Sequence, residues 1–206
     1  MKEEQLGPYT LSWPEGVFPL GADALALGDF VTLKPRQKVC DLGTGSGALL
    51  LLLARRESSL SLTGVELDPL SAQTAQGNLE QNGLEGAILQ GDMREKALLP
   101  AGGFDLVLSN PPYFSLRSGA SGGPARSEEC CTLEELCAAA ARLTRNGGRF
   151  ALCHRPERLV DVMTTLRSQS LEPKRMKLLS HGPGHPPFLL LVEAVRQGKP
   201  GLIIEG

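Results

Sequence analysis

The stretch Asn110-Pro111-Pro112-Tyr113 follows an apolar run and combines an amide, two prolines and an aromatic ring. Proline fixes its own φ angle and pushes the preceding residue toward extended geometry, so this stretch is held stiffly. The Asn110 side-chain oxygen and the Pro111 carbonyl can each accept one hydrogen of a planar NH2 group, which makes its nitrogen a better nucleophile. The predicted chemistry is methyl transfer to such a group. All four residues are then catalytic, with Tyr113 stacking on the acceptor. A proline-rich turn with a core tyrosine is the alternative.

A glycine-rich loop, residues 43–47, stands between a short apolar run at 38–42 and a leucine-rich run at 48–56. Strand, glycine loop and helix begin a βαβ unit, and glycines let the backbone approach a ligand at a helix N-terminus. The spacing also satisfies the loose dinucleotide fingerprint, so the loop alone fits a nicotinamide-binding oxidoreductase as well. Asp41 favours S-adenosylmethionine, because a carboxylate beside the loop repels a pyrophosphate and suits the cationic methionine portion of that cofactor.

Two further strand ends supply candidate cofactor contacts. Glu66 closes the second strand, where a carboxylate can accept hydrogen bonds from both hydroxyls of a ribose. After the third strand, Asp92 can accept from the adenine amino group and Met93 can pack on the ring, with a turn cap as the alternative role of Asp92. The first helix is expected to lie over the cofactor mouth. The other expected cofactor-binding residues are Gly43, Thr44, Gly45 and Gly47 in the loop, Leu67, Asn110, and Gly21 and Asp23 at the start of the first helix.

Helix signals recur between the strand signals. Asp23 is placed to cap the first helix and Asp68 a helix that ends near residue 81, while residues 132–145 open with a capping box. A further helix is predicted over 156–168. The remaining apolar or alternating runs predict strands at 38–42, 60–66, 87–90, 104–109, 149–153, 175–179 and 188–194. The last two strands have no helix between them and are expected to be antiparallel.

Length and composition predict one domain of ordinary globular type, since 206 residues are 41% hydrophobic and 21% charged. We expect residues 1–20 to form a lead-in and residues 21–206 a single domain, with a mobile loop at about 116–128. Arg117 and Arg126 in that loop can meet a phosphate. The apolar run 48–54 is too short to span a bilayer and no signal peptide opens the chain, which predicts a cytoplasmic protein.

The five cysteines and three histidines form no metal-ligand spacing, so neither a metal site nor disulfides are expected. Charge is distributed unevenly. Residues 142–177 contain nine basic and three acidic side chains, a balance of +6, which leaves −8 for the remainder of a chain of net charge −2. Such a basic stretch fits either an RNA-facing surface or solvated helix faces.

The chain resembles class I S-adenosylmethionine-dependent methyltransferases of the Asn-Pro-Pro-Tyr type. The residues that carry this resemblance are, in chain order, 41–47, Glu66, Asp92 and 110–113. Within that group the chain is most similar to the bacterial valine-tRNA adenine-N6-methyltransferase family. The shared runs are residues 21–28, 110–114, 125–128 and 154–159.

The resemblance implies an α/β, Rossmann-like fold with a seven-stranded, mostly parallel sheet, one antiparallel strand and helices on both faces. It implies S-adenosyl-L-methionine as cofactor and tRNA as substrate, methylated at N6 of an adenine beside the anticodon, adenine 37 of valine tRNA. The expected mechanism is direct in-line displacement at the sulfonium methyl group, with positioning as most of the catalysis and no metal. We expect a monomer. The alternatives are a glutamine N5-methyltransferase of a translation release factor and a non-catalytic RNA-binding module.

Overall fold

The computed structural model of the protein describes residues 1–18, 20–111 and 131–206. The predictions for Pro112, Tyr113, Arg117, Arg126 and the loop at 116–128 lie outside the described residues.

Strands and helices alternate along most of the chain. The strands are β1 (Lys2–Leu6), β2 (Tyr9–Trp13), β3 (Lys38–Leu42), β4 (Ser61–Glu66), β5 (Gly86–Gln90), β6 (Phe104–Ser109), β7 (Thr144–His154), β8 (Leu171–Ser180), β9 (Pro187–Arg196) and β10 (Ile203–Glu205). The α-helices are α1 (Ala22–Phe30), α2 (Ala48–Arg56), α3 (Pro69–Gln81), α4 (Leu133–Leu143) and α5 (Leu159–Ser168), with a 3-10 turn at Pro156–Arg158 before α5.

The main sheet has the strand order β10-β8-β9-β7-β6-β3-β4-β5. β9 runs antiparallel to both of its neighbours, and the other pairs are parallel. The predicted Rossmann-like sheet with one reversed strand is therefore confirmed. An eighth strand, β10, adds to the predicted seven. It has only three residues and is held at the sheet edge by pairing with β8 and by an ion pair between Arg175 and Glu205 at 2.7 Å.

Two apolar layers cover the sheet, one on each face. α1 and α2 pack on the first face, where the α2 residues from Ala48 to Ala54 are all buried. α4 and α5 pack on the second face, around Phe150 and Leu152. None of the helices in the described part of the chain is long and apolar enough to cross a membrane.

The first strands form a hairpin outside the main sheet, with β1 antiparallel to β2. One amide side chain of α3, Asn78, and the amide of its C-cap residue, Asn82, hold this hairpin. Asn78 accepts from the Ser12 N–H at 2.9 Å and donates to the Ser12 carbonyl at 2.8 Å, and Asn82 makes the same pair of contacts with Thr10. The lead-in residues are thereby docked on the same helix that follows the second strand of the main sheet.

Three predicted element boundaries are wrong. Gly21, not Asp23, is the N-cap of α1, and no side chain caps that helix. α4 ends at Leu143 instead of 145, and β7 begins at Thr144 instead of 149, because Thr144 already pairs with Phe104. The pairing of β6 with β7 shifts register between Phe104 and Leu106, and Gly147 and Gly148 lie at that shift. The caps at Asp68 and Thr132 are confirmed, and Glu135 completes the capping box.

Candidate active site

The carboxyl ends of adjacent parallel strands bring the predicted site residues together. Asp41 of β3 lies opposite Gly64 of β4 on one side and opposite Leu108 of β6 on the other. Directly opposed residues project to the same face, and side chains alternate along each strand. Asp41, Glu66 and, if the pleat continues one residue past β6, Asn110 therefore share one face. That face is the one on which α1 and α2 pack.

The glycine loop turns sharply after β3. Gly43 and Gly45 adopt left-handed φ angles of 75° and 57°, which side chains rarely tolerate, and a Cβ atom at either would meet no atom within 4 Å among the described residues. The N–H groups of Gly43 and Thr44 both donate to the Val65 carbonyl, at 2.9 and 3.1 Å. The loop is thus fixed on its inner side and open on its outer side, and it leads into the N-terminus of α2 at Gly47.

Asp41 is a buried carboxylate, only 2% exposed. Burial, with a smaller contribution from the negative charge of Glu66, raises its pKa to about 7. The Thr44 hydroxyl lies close enough to lower this pKa somewhat, but the pair does not meet hydrogen-bond geometry. Across the described residues, the buried side-chain nitrogen or oxygen atoms without a hydrogen-bond partner are Oδ1 of Asp41 and Oγ1 of Thr44. Both orphaned atoms lie at the glycine loop.

Glu66 ends β4 with both carboxylate oxygens held by backbone groups. Oε2 accepts from the N–H of Gly45 at 2.8 Å, and Oε1 accepts from the N–H of Asp68 at 2.9 Å. A carboxylate has about four lone-pair positions, so two remain for a ligand. Leu67 follows with 50% of its surface exposed, beside the same strand end.

The segment after β5 is anchored to α4. The Asp92 carboxylate accepts from the Arg94 guanidinium at 2.5–2.9 Å, which holds the pKa of Asp92 below its usual range. Arg94 also donates to Glu135 at 3.1 Å. Met93 is half-buried, and its sulfur lies 4.0 Å from that of Cys131. The geometry thus joins Asp92 to Arg94, a partner that the sequence pattern does not indicate.

Asn110 lies one residue beyond β6 and turns its side-chain oxygen toward β7. Oδ1 accepts a hydrogen bond from the thiol of Cys153, with sulfur and oxygen 3.0 Å apart. Cys153 is fully buried and projects to the α1 and α2 face. The thiol proton identifies the facing amide atom as an acceptor, so this contact sets the orientation of the Asn110 amide.

Pro111 lies on the opposite face from Asn110, at a small cavity of about 50 Å³. Gly43, Ser109 and His154 line the same cavity, next to the start of α4. Ser109 donates to the Leu42 carbonyl at 2.7 Å, and the Nδ1 atom of His154 accepts from the Arg155 N–H at 2.8 Å. The first bond joins the ends of β3 and β6 beside Pro111, and the second fixes the His154 ring at the end of β7.

Cys153 and His154 are site residues that the sequence reasoning missed. Strand alternation alone does not distinguish these two residues from core positions. The sequence feature that could have indicated His154 is the run 154–159, which the chain shares with the family it resembles. Gly21 and Asp23 lie at the start of α1, which packs beside α2. Their predicted contact with the cofactor stays a prediction.

Six arginines of the basic stretch at 142–177 are engaged in hydrogen bonds or ion pairs within the fold. Arg142 donates to the carbonyls of Met93, Glu95 and Leu99 and thereby holds the segment after Asp92. Other arginines of the stretch are engaged in ion pairs with carboxylates. These pairs are Arg145 with Asp105, Arg149 and Arg175 with Glu193, Arg158 with Asp161, and Arg167 with Glu172.

The described cysteines, Cys40, Cys131, Cys137 and Cys153, are free thiols. Within the described ranges, no three or more histidine, cysteine, aspartate or glutamate side chains are grouped so that they can hold a metal ion.

Comparison with known proteins gives a consistent family assignment. Residues 21–167 match the family described as the methyltransferase small domain. The chain is 31% identical over 186 residues to the tRNA1(Val) (adenine(37)-N6)-methyltransferase of Porphyromonas gingivalis strain ATCC 33277, which covers 84% of this chain and 73% of that protein. A protein of the same name from Parabacteroides distasonis is 28% identical, with 92% and 81% coverage. Relatives from Porphyromonas gingivalis strain W83 and from a Flavobacteriaceae bacterium are spanned over 65% and 66% of their lengths.

Solved structures agree in fold. The crystal structure of a predicted O-methyltransferase from Agrobacterium tumefaciens superimposes with a TM-score of 0.72 at 23% identity, covering 88% of this chain and 84% of that one. A methyltransferase from Pyrococcus furiosus superimposes with a TM-score of 0.68 at 18% identity and coverages of 91% and 89%.

Proposed function

The chain belongs to the methyltransferase small domain family, and from that premise we propose that it methylates the N6 amine of an adenine in tRNA, adenine 37 beside the anticodon. The methyl donor is S-adenosyl-L-methionine. Similarity to relatives named for this activity supports the substrate. We further propose that the protein acts in the cytoplasm, as a single methyltransferase domain over residues 21–206.

The observation that carries this proposal is the pair of orphaned polar atoms at the glycine loop, Oδ1 of Asp41 and Oγ1 of Thr44. Buried polar groups in proteins are almost always hydrogen-bonded, and these two neighbouring atoms do not meet hydrogen-bond geometry with each other, so a ligand between them can supply the missing partner. The cationic amino group of a ligand can donate hydrogen bonds to both the Asp41 carboxylate oxygen and the Thr44 hydroxyl oxygen. Glu66 lies on the same face and retains lone pairs for ribose hydroxyls. The residues present therefore fit the methyl donor.

When bound, S-adenosyl-L-methionine supplies a methyl group on a positively charged sulfur, which is already an activated leaving group. Asp41 and Thr44 would hold its amino acid portion, with Gly43, Gly45 and Gly47 leaving room for it. Glu66 would hold the ribose, and Leu67 and Met93 would pack against the adenine. The Asp92 carboxylate already accepts four contacts from Arg94, two at each oxygen, so its proposed contact with the adenine amino group would displace one of them.

The chain itself prepares the acceptor nitrogen. Asn110 Oδ1 and the Pro111 carbonyl would each accept one hydrogen of the target amine, which directs the nitrogen lone pair toward the donor. The thiol of Cys153 donates to Oδ1 and fixes the amide orientation. Most of the rate enhancement then comes from positioning. Pro112 and Tyr113 keep their predicted roles, which lie outside the described residues.

Label transfer tests the substrate. The protein is incubated with methyl-labelled S-adenosyl-L-methionine and tRNA transcripts that lack modifications, with a valine tRNA transcript carrying guanine at position 37 as the control. We expect label in N6-methyladenosine from the unaltered transcript and none from the control. Label in a protein glutamine, with none in RNA, would instead establish the release-factor alternative.

Substitution of Asn110 tests the mechanism. Removing one preorganised hydrogen-bond acceptor from a transition state costs about 100- to 1,000-fold in rate. We expect Asn110→Ala to lower the single-turnover methylation rate by that factor. An unchanged single-turnover rate would remove Asn110 from the catalytic residues.

A further inference from the structure

An open groove of about 420 Å³ lies beside the active site, outside the residues assigned above. Arg155 and Glu157, which follow β7, line one part of it. His181, His185 and Phe188, in and after the turn between β8 and β9, line another part. Neither the cofactor nor the target amine requires these side chains.

The sheet topology places this groove at the same edge as Asn110. β9 is antiparallel to both β7 and β8, so the end of β8 and the start of β9 emerge where β7 ends. β9 is two strands from β6, which is roughly 10 Å at the usual strand spacing. The residues proposed to hold the cofactor lie on the other side of β6, on β3 and β4. A substrate that places one group at Asn110 therefore has the groove on its free side.

The register supports this placement. His154, which lines the small cavity with Pro111, is paired with Leu190 of β9. Phe188 lies two residues before Leu190, where the pairing of β9 with β8 shifts register, and its ring stacks on His181 of the adjoining turn. Arg155 follows His154 directly in the chain. The active-site cavity and the groove are consecutive features of one sheet edge.

An aromatic platform forms one wall of the groove. The rings of His181 and Phe188 are stacked, with centroids 4.4 Å apart and an angle of 12° between their planes. Phe188 remains 39% exposed and His181 is also exposed. Exposed flat rings are the groups on which proteins stack unpaired nucleobases, and arginine guanidinium groups bind phosphate.

A backbone hydrogen bond closes the turn that presents this platform. His185 donates its N–H to the Gly182 carbonyl at 3.2 Å, and Gly184 adopts a left-handed φ angle of 80°. Pro186 and Pro187 then lead into β9. A preformed platform loses little conformational entropy on binding.

The charge of the groove limits what it accepts. Arg155 supplies one positive group and Glu157 one negative group, so the groove is not a track for a long run of phosphates. A single nucleotide, with its base stacked and its phosphate beside the guanidinium, matches this composition better than an extended RNA backbone.

We propose that the groove binds a nucleotide next to the target adenine in the RNA substrate, with its base stacked on the pair His181 and Phe188. The inference rests on the proposed function, and it adds a second substrate contact that reads the single-stranded neighbour of the target. Stacking of this kind is sequence-tolerant, so it selects an unpaired loop more than a particular base.

The test uses the variants His181→Ala, Phe188→Ala and Phe188→Trp, with Val160→Ala as the control because Val160 is an exposed apolar residue of α5, outside the groove lining. The substrate is an anticodon stem-loop RNA. We expect the two alanine variants of the platform to raise the KM for RNA about 5- to 100-fold, with kcat and the affinity for S-adenosyl-L-methionine unchanged. Phe188→Trp preserves the stack and stays within about threefold of the parent protein.

A spectroscopic readout separates stacking from a general loss of structure. The fluorescent base 2-aminopurine is placed on either side of the target adenine, and its emission is measured with each variant. Quenching that the parent protein and Phe188→Trp produce at one of these positions, and that His181→Ala abolishes, supports the groove. His181 is exposed, so this variant is expected to keep the parent unfolding temperature.

The two proposals fail separately. A parent protein that methylates no RNA overturns the proposed function and the groove with it. A parent protein that methylates RNA while both alanine variants retain its KM and its quenching overturns the groove alone. Equal KM increases for RNA and for a glutamine-containing protein also overturn it, since a protein chain would then share the surface.

Discussion

Asp41 combines deep burial with a carboxylate that lacks a partner at one oxygen, and its pKa of about 7 follows from that combination. In an unfolded chain an aspartate has a pKa near 3.9. The pKa of Asp41 is thus higher in the folded protein than in the unfolded chain. Its contribution to the free energy of unfolding is fully present below pH ~3.9, where the carboxyl is protonated in both states. It is lost as the pH rises toward and through about 7. Above that pH the unliganded protein holds a buried charge that a cationic ligand would neutralise.

Affinity for S-adenosyl-L-methionine is therefore expected to rise with pH. For a pKa of about 7, the ionised fraction of the Asp41 carboxyl rises from about one tenth at pH 6 to about nine tenths at pH 8. Because the ionised form binds the cationic ligand, the affinity should increase about tenfold over this range. Calorimetric titration at pH 6, 7 and 8 measures this, and two buffers of different protonation enthalpy reveal the released proton. Asp41→Asn should bind more weakly and with no such pH dependence. A variant that retains the parent's pH profile would assign the titration to another group.

Cys153 is predicted to act through Asn110. Its thiol donates to Oδ1 of Asn110, and a neutral hydrogen bond of this kind contributes about 0.5–1.5 kcal/mol. Cys153→Ala should therefore lower kcat about 2- to 10-fold while leaving the KM for RNA unchanged. Cys153→Ser keeps a donor and should restore most of the rate. Equal loss in the serine and alanine variants would mean that Cys153 serves packing instead of amide orientation.

At the scale of elements, α3 links the N-terminal hairpin to the glycine loop. Asn78 is 2% exposed, and besides its two bonds to Ser12 it donates to the Ser46 carbonyl at 2.9 Å. Asn82, one turn later, bonds to Thr10 of the hairpin and, within its own helix, to the Asn78 carbonyl. The two amides therefore hold the same hairpin, but Asn78 also reaches the cofactor loop.

This difference gives a matched pair of variants. Asn78→Ala leaves buried backbone groups unpaired and should lower the free energy of unfolding by about 1–3 kcal/mol. It should also weaken binding of S-adenosyl-L-methionine, because the loop loses a support. Asn82→Ala should destabilise the hairpin without changing cofactor affinity. Urea unfolding and calorimetric titration provide the two measurements, and equal effects of both variants on cofactor affinity would contradict the link.

Across the whole molecule, one buried carboxylate joins elements that are far apart in the chain. Glu193 of β9 is fully buried and pairs with Arg149 of β7 at 2.9 Å and with Arg175 of β8 at 3.4 Å. It also accepts from the N–H and hydroxyl of Thr32, after α1, at 2.8 and 3.0 Å. The reversed strand, its two neighbours and the first helix thus meet at one side chain.

Removing this carboxylate is expected to be costly. Breaking a buried ion pair by deleting one partner typically costs 3–5 kcal/mol, so Glu193→Ala should lower the free energy of unfolding by about that amount. Glu205→Gln is the control, because Glu205 pairs with the same Arg175 at a partly exposed site, where ion pairs contribute little, and should cost much less than Glu193→Ala. Urea unfolding midpoints measure both. A midpoint for Glu193→Ala that matches the control would show that the arginines find other partners.

Local chemistry along the chain determines much of this protein. Strand periodicity, the glycine loop, the caps at Asp68 and Thr132 and the order of elements all depend on residues within a few positions of one another. These local signals are enough to predict a Rossmann-like sheet and to place Asp41, Glu66 and Asn110 at its carboxyl edge, where parallel strands end together.

Tertiary structure alone decided the contacts between distant residues. Cys153 meets Asn110 across 43 positions, and Glu193 meets Thr32 across 161, because the register between strands sets these neighbours and no local pattern encodes it. The same register pairs three arginines of the basic stretch, Arg145, Arg149 and Arg175, with carboxylates of neighbouring strands, and it places the groove beside His154. The orphaned oxygen of Asp41 is also a tertiary fact, since only the folded chain excludes water from that carboxylate and withholds a partner.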